Sequence, residues 1–224
     1  MSAVGRGGRA CYLLAGMGLL YSMVGGCAAT EEEIRKSQGY YQEGLATLPS
    51  DRQRAFVSFQ KAVQLNPNNK EARYALGHVY AMQGKLAKAE EEFRAAIKID
   101  EDYSEAHTYL GQIFASQSRW DEAIQSYRRA LANPLYVTPD LAWFHLGRAL
   151  VQKGDLQAAM EAFEDALTTS PPSVPPALTH LELAQVYIKL GDVTKAREAL
   201  KQVALLDPKG EYAAVTAELL ARLK

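Results

Sequence analysis

Cysteine is nearly absent. The 224 residues hold two, Cys11 and Cys27, both within the first 27 positions. The remaining body therefore has no thiol for a disulfide, a thiolate metal site or cysteine catalysis. An excess of one charge is missing as well: 25 Lys and Arg face 26 Asp and Glu, a formal net of -1. Composition thus gives no electrostatic case for a nucleic-acid partner. The chain carries no P-loop, dinucleotide fingerprint or nucleophile elbow. Its histidines, His78, His107, His145 and His180, are too far apart for an HExxH-like or other close metal-ligand spacing. The acidic triplets at 31–33 and 90–92 read as solvated faces. No cofactor, metal or small-molecule substrate is expected, and the chain reads as a non-enzyme. An apolar share of 48% is ordinary for a soluble protein and too high for a disordered one.

The longest apolar stretch lies at the N-terminus. Arg6 and Arg9 form a short positive region, and residues 10–26 carry no charge. The apolar part, CYLLAGMGLLYSMV, falls short of the roughly 20 residues a membrane-spanning helix needs, and it is interrupted by glycine. It fits the hydrophobic region of a secretory signal. Val24-Gly25-Gly26-Cys27 follows and resembles the bacterial lipobox, an aliphatic residue and two small ones before cysteine. The resemblance implies a signal peptide over 1–26 and lipidation at Cys27, whose acyl chains would fix the protein to a membrane. One chain anchors only marginally, at about 0.8 kcal/mol per buried methylene, and two or three hold firmly. An ordinary cleaved signal with an incidental cysteine is the alternative. In enterobacteria-like sorting, alanine at position 28 points to the outer membrane. Losing Arg6 and Arg9 takes the 25 basic residues to 23 against 26 acidic, a net of -3. A body without free thiols suits an oxidising periplasm.

Residues 27–36 read as a lipidated tether, and a repeat begins near Ser37. Its clearest copy spans residues 70–101, where Leu76, Gly77, Tyr80, Gly84, Ala89, Phe93 and Ala96 mark two amphipathic helices and a tight turn. The pattern recurs from Ser104, Asp140 and Ala177, and in a copy one residue shorter from Ser37, whose turn is Leu48-Pro49-Ser50-Asp51. Ser50 or Asp51 is expected to cap the helix that follows this turn. These residues resemble the tetratricopeptide repeat, a unit of about 34 residues. A small residue at the eighth and twentieth places lets the two helices approach, and larger ones fill the space between units. A single unit cannot bury its apolar face, so stability belongs to the array. The expected fold is all-α, a tetratricopeptide-repeat solenoid of five helix-turn-helix repeats over 37–210 plus a capping helix over 211–224. That cap is expected to offer Ala214, Ala217, Leu220 and Leu223 inward.

Two connections exceed the period. Gly111 to Gly147 is 36 residues and Gly147 to Ala184 is 37, with the excess in 132–139 and in the proline-rich 170–176. Either connection adjusts superhelical twist or forms a recognition edge, with Leu135 and Tyr136 available to a partner.

The repeat resemblance implies that the first helix of each unit lines a concave face through its second, fifth, ninth and twelfth places. The candidate protein-binding residues there are Tyr41, Tyr74, His78, Leu141, Phe144, Arg148, Leu178, Leu181, Gln185 and Ile188. The N-terminal half of this set is mixed and the C-terminal half apolar, a trough suited to a helix or extended peptide. Tight curvature burying some of them against neighbours is the competing expectation. Chaperone-tail clamps of this class use lysine and asparagine at places five and nine, which Tyr74, His78, Phe144 and Arg148 do not match. A lipobox ahead of such repeats, with Leu135-Tyr136, a proline and then Trp143-Phe144-His145-Leu146-Gly147, resembles the type IV pilus biogenesis lipoproteins PilF and PilW, the secretin pilotins. That likeness implies a periplasm-facing, lipid-anchored outer-membrane scaffold whose protein partner is a secretin subunit. Alternatives are a general envelope adaptor, serving barrel assembly or peptidoglycan-hydrolase recruitment, and a regulatory subunit of an envelope enzyme.

Overall fold

Glycine and an aromatic ring decide how each helix pair closes. In the computed structural model, which describes residues 29–223, a Cβ added to Gly44 would lie 2.4 Å from the Phe59 ring. The same contact recurs between Gly77 and Phe93 at 2.9 Å, Gly111 and Tyr127 at 2.5 Å, and Gly147 and Phe163 at 2.8 Å. Only a residue without a side chain permits that approach. Ala184 and Leu200 stand at the corresponding places of the fifth unit, both fully buried.

Ten helices form the five pairs: α1 (Glu31–Thr47) with α2 (Arg52–Leu65), α3 (Lys70–Met82) with α4 (Leu86–Ile99), and α5 (Ser104–Ser116) with α6 (Trp120–Leu131). They continue as α7 (Pro139–Lys153) with α8 (Leu156–Ala166), α9 (Pro176–Leu190) with α10 (Val193–Leu206), and α11 (Ala213–Arg222) closes the series. No strand occurs among the described residues. Each helix packs on the next, and α3, α5, α7 and α9 also touch one another in sequence, which is the contact pattern of a solenoid. Fully buried Ala55, Ala89, Ala123, Ala159 and Ala196 let the second helices sit close to the first.

The turns within the pairs use left-handed backbone at one place. Gly84, Gly154 and Gly191 have φ of 71°, 81° and 80° there, and Ser118 takes φ of 60° at the corresponding place of the third unit. A side chain in that conformation is strained by roughly 1–2 kcal/mol, partly offset by the greater unfolded-state entropy of glycine. Ser118→Gly is therefore expected to stabilise the protein by about 0.5–1 kcal/mol. An unchanged or lower urea midpoint would contradict this. The shortened first turn instead uses Asp51, whose side chain accepts from Arg54 N–H at 2.9 Å, so Asp51 and not Ser50 is the cap.

Three expectations need correction. The stretch taken as a tether over 27–36 is helical from Glu31, because Thr30 and Glu33 form a reciprocal capping box that starts α1 six residues before Ser37. The final helix turns only part of the expected face inward: Leu220 and Leu223 pack on the core as expected, but Ala214 and Ala217 are exposed, and Thr216, Tyr212 and Leu219 take the inner places in their stead. Its entry is set by Asp207, whose carboxylate accepts from Tyr212 N–H at 2.8 Å. Tyr136, expected to be available to a partner, is 8% exposed. Its hydroxyl pairs with Thr108 Oγ1 at 2.9 Å, and Asn133 donates to the Asp102 carbonyl at 3.1 Å. Those two bonds tie the long connection down and leave Leu135 and Val137 outward, 84% and 80% exposed.

The other long connection is also held. Asp140, in the first turn of α7, is 1% exposed and accepts from the backbone N–H groups of Ser173 at 2.5 Å and Val174 at 2.8 Å. Its carboxylate bridges the fourth unit to the chain entering the fifth. The expected signal peptide and Cys27 lie outside the described residues.

Candidate functional site

The first helices α1, α3, α5, α7 and α9 carry the concave face, and its aromatic surface gathers in the N-terminal half. Tyr74 stands at the centre, with ring centroids 5.5 Å from Tyr103, 5.6 Å from Tyr109 and 5.9 Å from Phe93. His78 meets Tyr109 edge to face at 5.1 Å, and Tyr41 tilts over Phe59 at 6.1 Å. Phe93 is fully buried, but Tyr41, Tyr74, His78, Tyr103 and Tyr109 are all half-buried. The band therefore rests on the core through two buried rings, Phe59 under Tyr41 and Phe93 under Tyr74 and Tyr109, and offers the others to the groove. Such offset and edge contacts are favourable and hold the rings in place.

Burial favours the neutral forms of Tyr74, Tyr103 and His78. Burial raises the Tyr74 phenol, helped by Tyr109 and Tyr103, and burial with nearby Glu105 and Glu71 raises that of Tyr103. Burial lowers His78. Neutral phenols give hydrogen-bond donors beside apolar rings, a combination suited to peptide backbone and mixed side chains. Lys70 lies over the Tyr103 ring at 5.2 Å and pairs with Asp100 at 2.5 Å, closing one edge.

The C-terminal half is less open than the sequence suggested. Phe144 and Leu181, two of its expected apolar contacts, are 4% and 6% exposed and belong to the core. Phe144 packs against Phe163 at 5.8 Å, and Arg148 covers it with its guanidinium 5.8 Å from the ring. Arg148 in turn reaches Glu182 at 3.7 Å. Leu141, Leu178, Gln185 and Ile188 are half-buried and Arg148 is exposed, so a narrower apolar strip is left.

Tyr103 and Tyr109 were missed. Tyr109 falls at the sixth place of its repeat, four residues after Glu105 and three before Gln112, hence on the same helical stripe. Reading that stripe at its full width would have found it. Tyr103 precedes α5 and had no helical signal. His107 is a packing residue, 8% exposed with Nε2 2.9 Å from the Glu101 carbonyl. Among the described residues, no cluster of His, Cys, Asp and Glu could hold a metal ion, and no helix is long and apolar enough to cross a membrane.

This stack of paired helices with a lined inner face defines a solenoid scaffold of the helix-turn-helix repeat class. Tetratricopeptide repeat models match residues 46–113 and 150–219, and 100–136 and 110–174, so the chain belongs to the tetratricopeptide-repeat family. No curated protein matches it in sequence. Among solved structures it is similar to PilF of Pseudomonas aeruginosa, with a TM-score of 0.75 and 25% identity over 86% of this chain and 85% of that one. It is also similar to PilW, a widely conserved type IV pilus biogenesis factor, with a TM-score of 0.73 and 23% identity over 84% and 85%. YrrB, a repeat protein of the same class with an unusual peptide-binding site, gives 0.65 and 20% over 84% and 94%. The last two likenesses are of fold.

Proposed function

We propose that this chain is a non-enzymatic scaffold that captures a segment of a protein partner in its concave groove, in the assembly or localisation of a type IV pilus secretin. The observation that carries the binding role is the band of half-buried rings from Tyr41 through Tyr103 and Tyr74 to Tyr109. Half-exposed tyrosines fixed by packing bury large areas on binding at little entropic cost. The pilus assignment draws on the likeness to PilF and PilW together with the lipobox-like Val24-Gly25-Gly26-Cys27. In this reading acyl chains at Cys27 hold the protein on the periplasmic side of the outer membrane, and the groove brings the secretin subunit there.

The experiment is membrane fractionation with affinity capture in the native bacterium. Cys27→Ala is expected to move the protein out of the outer-membrane fraction and to lower the amount of secretin multimer severalfold. Equal membrane-bound protein and equal multimer in both strains would refute the anchor-and-deliver mechanism. Capture of barrel-assembly components or peptidoglycan hydrolases in place of secretin would instead identify a general envelope adaptor.

A further inference from the structure

A cavity of about 290 Å³ opens in the concave face between the third and fourth units. Its origin is visible one unit earlier. There His78 and Tyr109 occupy the equivalent place, ring against ring at 5.1 Å. Here Gln112 stands where His78 does and His145 where Tyr109 does, and the smaller pair does not fill the space. Gln112, Trp120, Tyr127, His145, Arg148 and Gln152 surround the cavity, and no carboxylate lines it.

Tyr127 is the one member of its series that carries a hydroxyl. Phe59, Phe93 and Phe163 occupy the corresponding place in the first, second and fourth units, each against the glycine of its own unit. Tyr127 packs its ring on Gly111 in the same manner, so the fold needs the ring and not the hydroxyl. The residue is fully buried, and its Oη has no hydrogen-bond partner. A buried donor left unpaired is destabilising, and phenylalanine would avoid the cost. Arg148 brings a positive charge to the same cavity, with its side chain 57% exposed and Glu182 no nearer than 3.7 Å. His145 stacks on Tyr127 at 5.9 Å and is held neutral at pH 7, since burial, with Arg148 adding, lowers it to about 4.

We propose that this cavity receives a carboxylate side chain, aspartate or glutamate, projecting from the partner segment in the groove. The proposal rests on the concave groove being the binding face. The Tyr127 hydroxyl, the Arg148 guanidinium and the amides of Gln112 and Gln152 make the site rich in donors, and an anionic acceptor uses them best. A lysine would meet Arg148 and no counter-charge. An apolar side chain would leave the Tyr127 hydroxyl unpaired.

The test uses the full chain in detergent, ¹⁵N-labelled, with the indole N–H signals of Trp120 and Trp143 assigned by Trp143→Phe. The probes are N-acetyl-glutamate methylamide, its glutamine analogue and its lysine analogue, each titrated to about 50 mM. The glutamate probe is expected to shift the Trp120 indole saturably with a dissociation constant of about 1–10 mM. Tyr127→Phe and Arg148→Gln should each weaken it about tenfold, and the glutamine probe should bind about tenfold more weakly than glutamate. Tyr127→Phe should melt at or above the wild-type temperature. Equal binding of the glutamate and glutamine probes, no saturable shift, or a lower melting temperature for Tyr127→Phe would overturn the proposal and leave the cavity to water. Tyr74→Ala with Tyr109→Ala separates the two readings, since neither residue lines the cavity. If the probe fails while that variant loses the protein partner, the cavity assignment falls alone. If the probe binds while that variant keeps its partner, the carboxylate site stands and the aromatic band leaves the function.

Discussion

Asp140→Ala is expected to lower the stability of the solenoid by about 2–4 kcal/mol, measured by urea denaturation at neutral pH. One carboxylate oxygen of Asp140 accepts from two successive backbone N–H groups, of Ser173 and Val174, in a place where the side chain is almost fully buried. Removing it strands donors in the connection between α8 and α9, and Val174 is itself buried, so water reaches its N–H poorly. In a linear array, loosening one interface separates the units on either side of it. The transition should therefore also broaden, with the α9–α11 end losing structure before the rest. Asp140→Asn keeps a neutral acceptor in place and should recover about half of the loss, because hydrogen bonds to a charged acceptor are roughly twice as strong. A wild-type midpoint for Asp140→Ala would show that the connection needs no anchor.

Tyr74→Ala combined with Tyr109→Ala should weaken capture of the protein partner by about a hundredfold or more, as the loss of two anchoring aromatics typically does. The two rings touch at 5.6 Å and share Phe93 beneath them, at 5.9 Å from each. Truncating both removes the centre of the band, and Tyr41 and Tyr103 lose the surface that joins them to the rest of the groove. The paired phenylalanine substitutions keep the rings and lose only the hydroxyls, so they should cost less than about tenfold. Far-ultraviolet circular dichroism and a melting curve separate lost binding from lost fold. A folded double-alanine variant that captures its partner as well as wild type would remove the aromatic band from the function.

The difference between the two halves of the groove shows how far a repeat pattern reaches. Places five and nine of each unit face inward by local helical geometry, and Tyr74 and His78 do reach the groove. Phe144 and Leu181 occupy such places too, at the fifth of their units, yet are buried. The difference lies in the neighbours. Tyr74 is crowded by Tyr103 and Tyr109 and held up as part of a stack, whereas Phe144 settles onto Phe163 beneath the Arg148 side chain. Neither arrangement is a property of one helix.

By itself the sequence determined the local part: the helices, their pairing, and the small residues that let the two helices of a unit approach. Those features depend on residues within one unit, where 3.6-residue periodicity and van der Waals contact leave little choice. Tertiary structure alone decided which groups face the partner. It brought Tyr103 and Tyr109 beside Tyr74, turned Tyr136 inward onto Thr108, set Asp140 to grip the following connection, and opened the space beside Tyr127. Each of these depends on how one unit is placed against the next. That placement follows from the summed packing of whole interfaces, in which no single residue spacing is decisive.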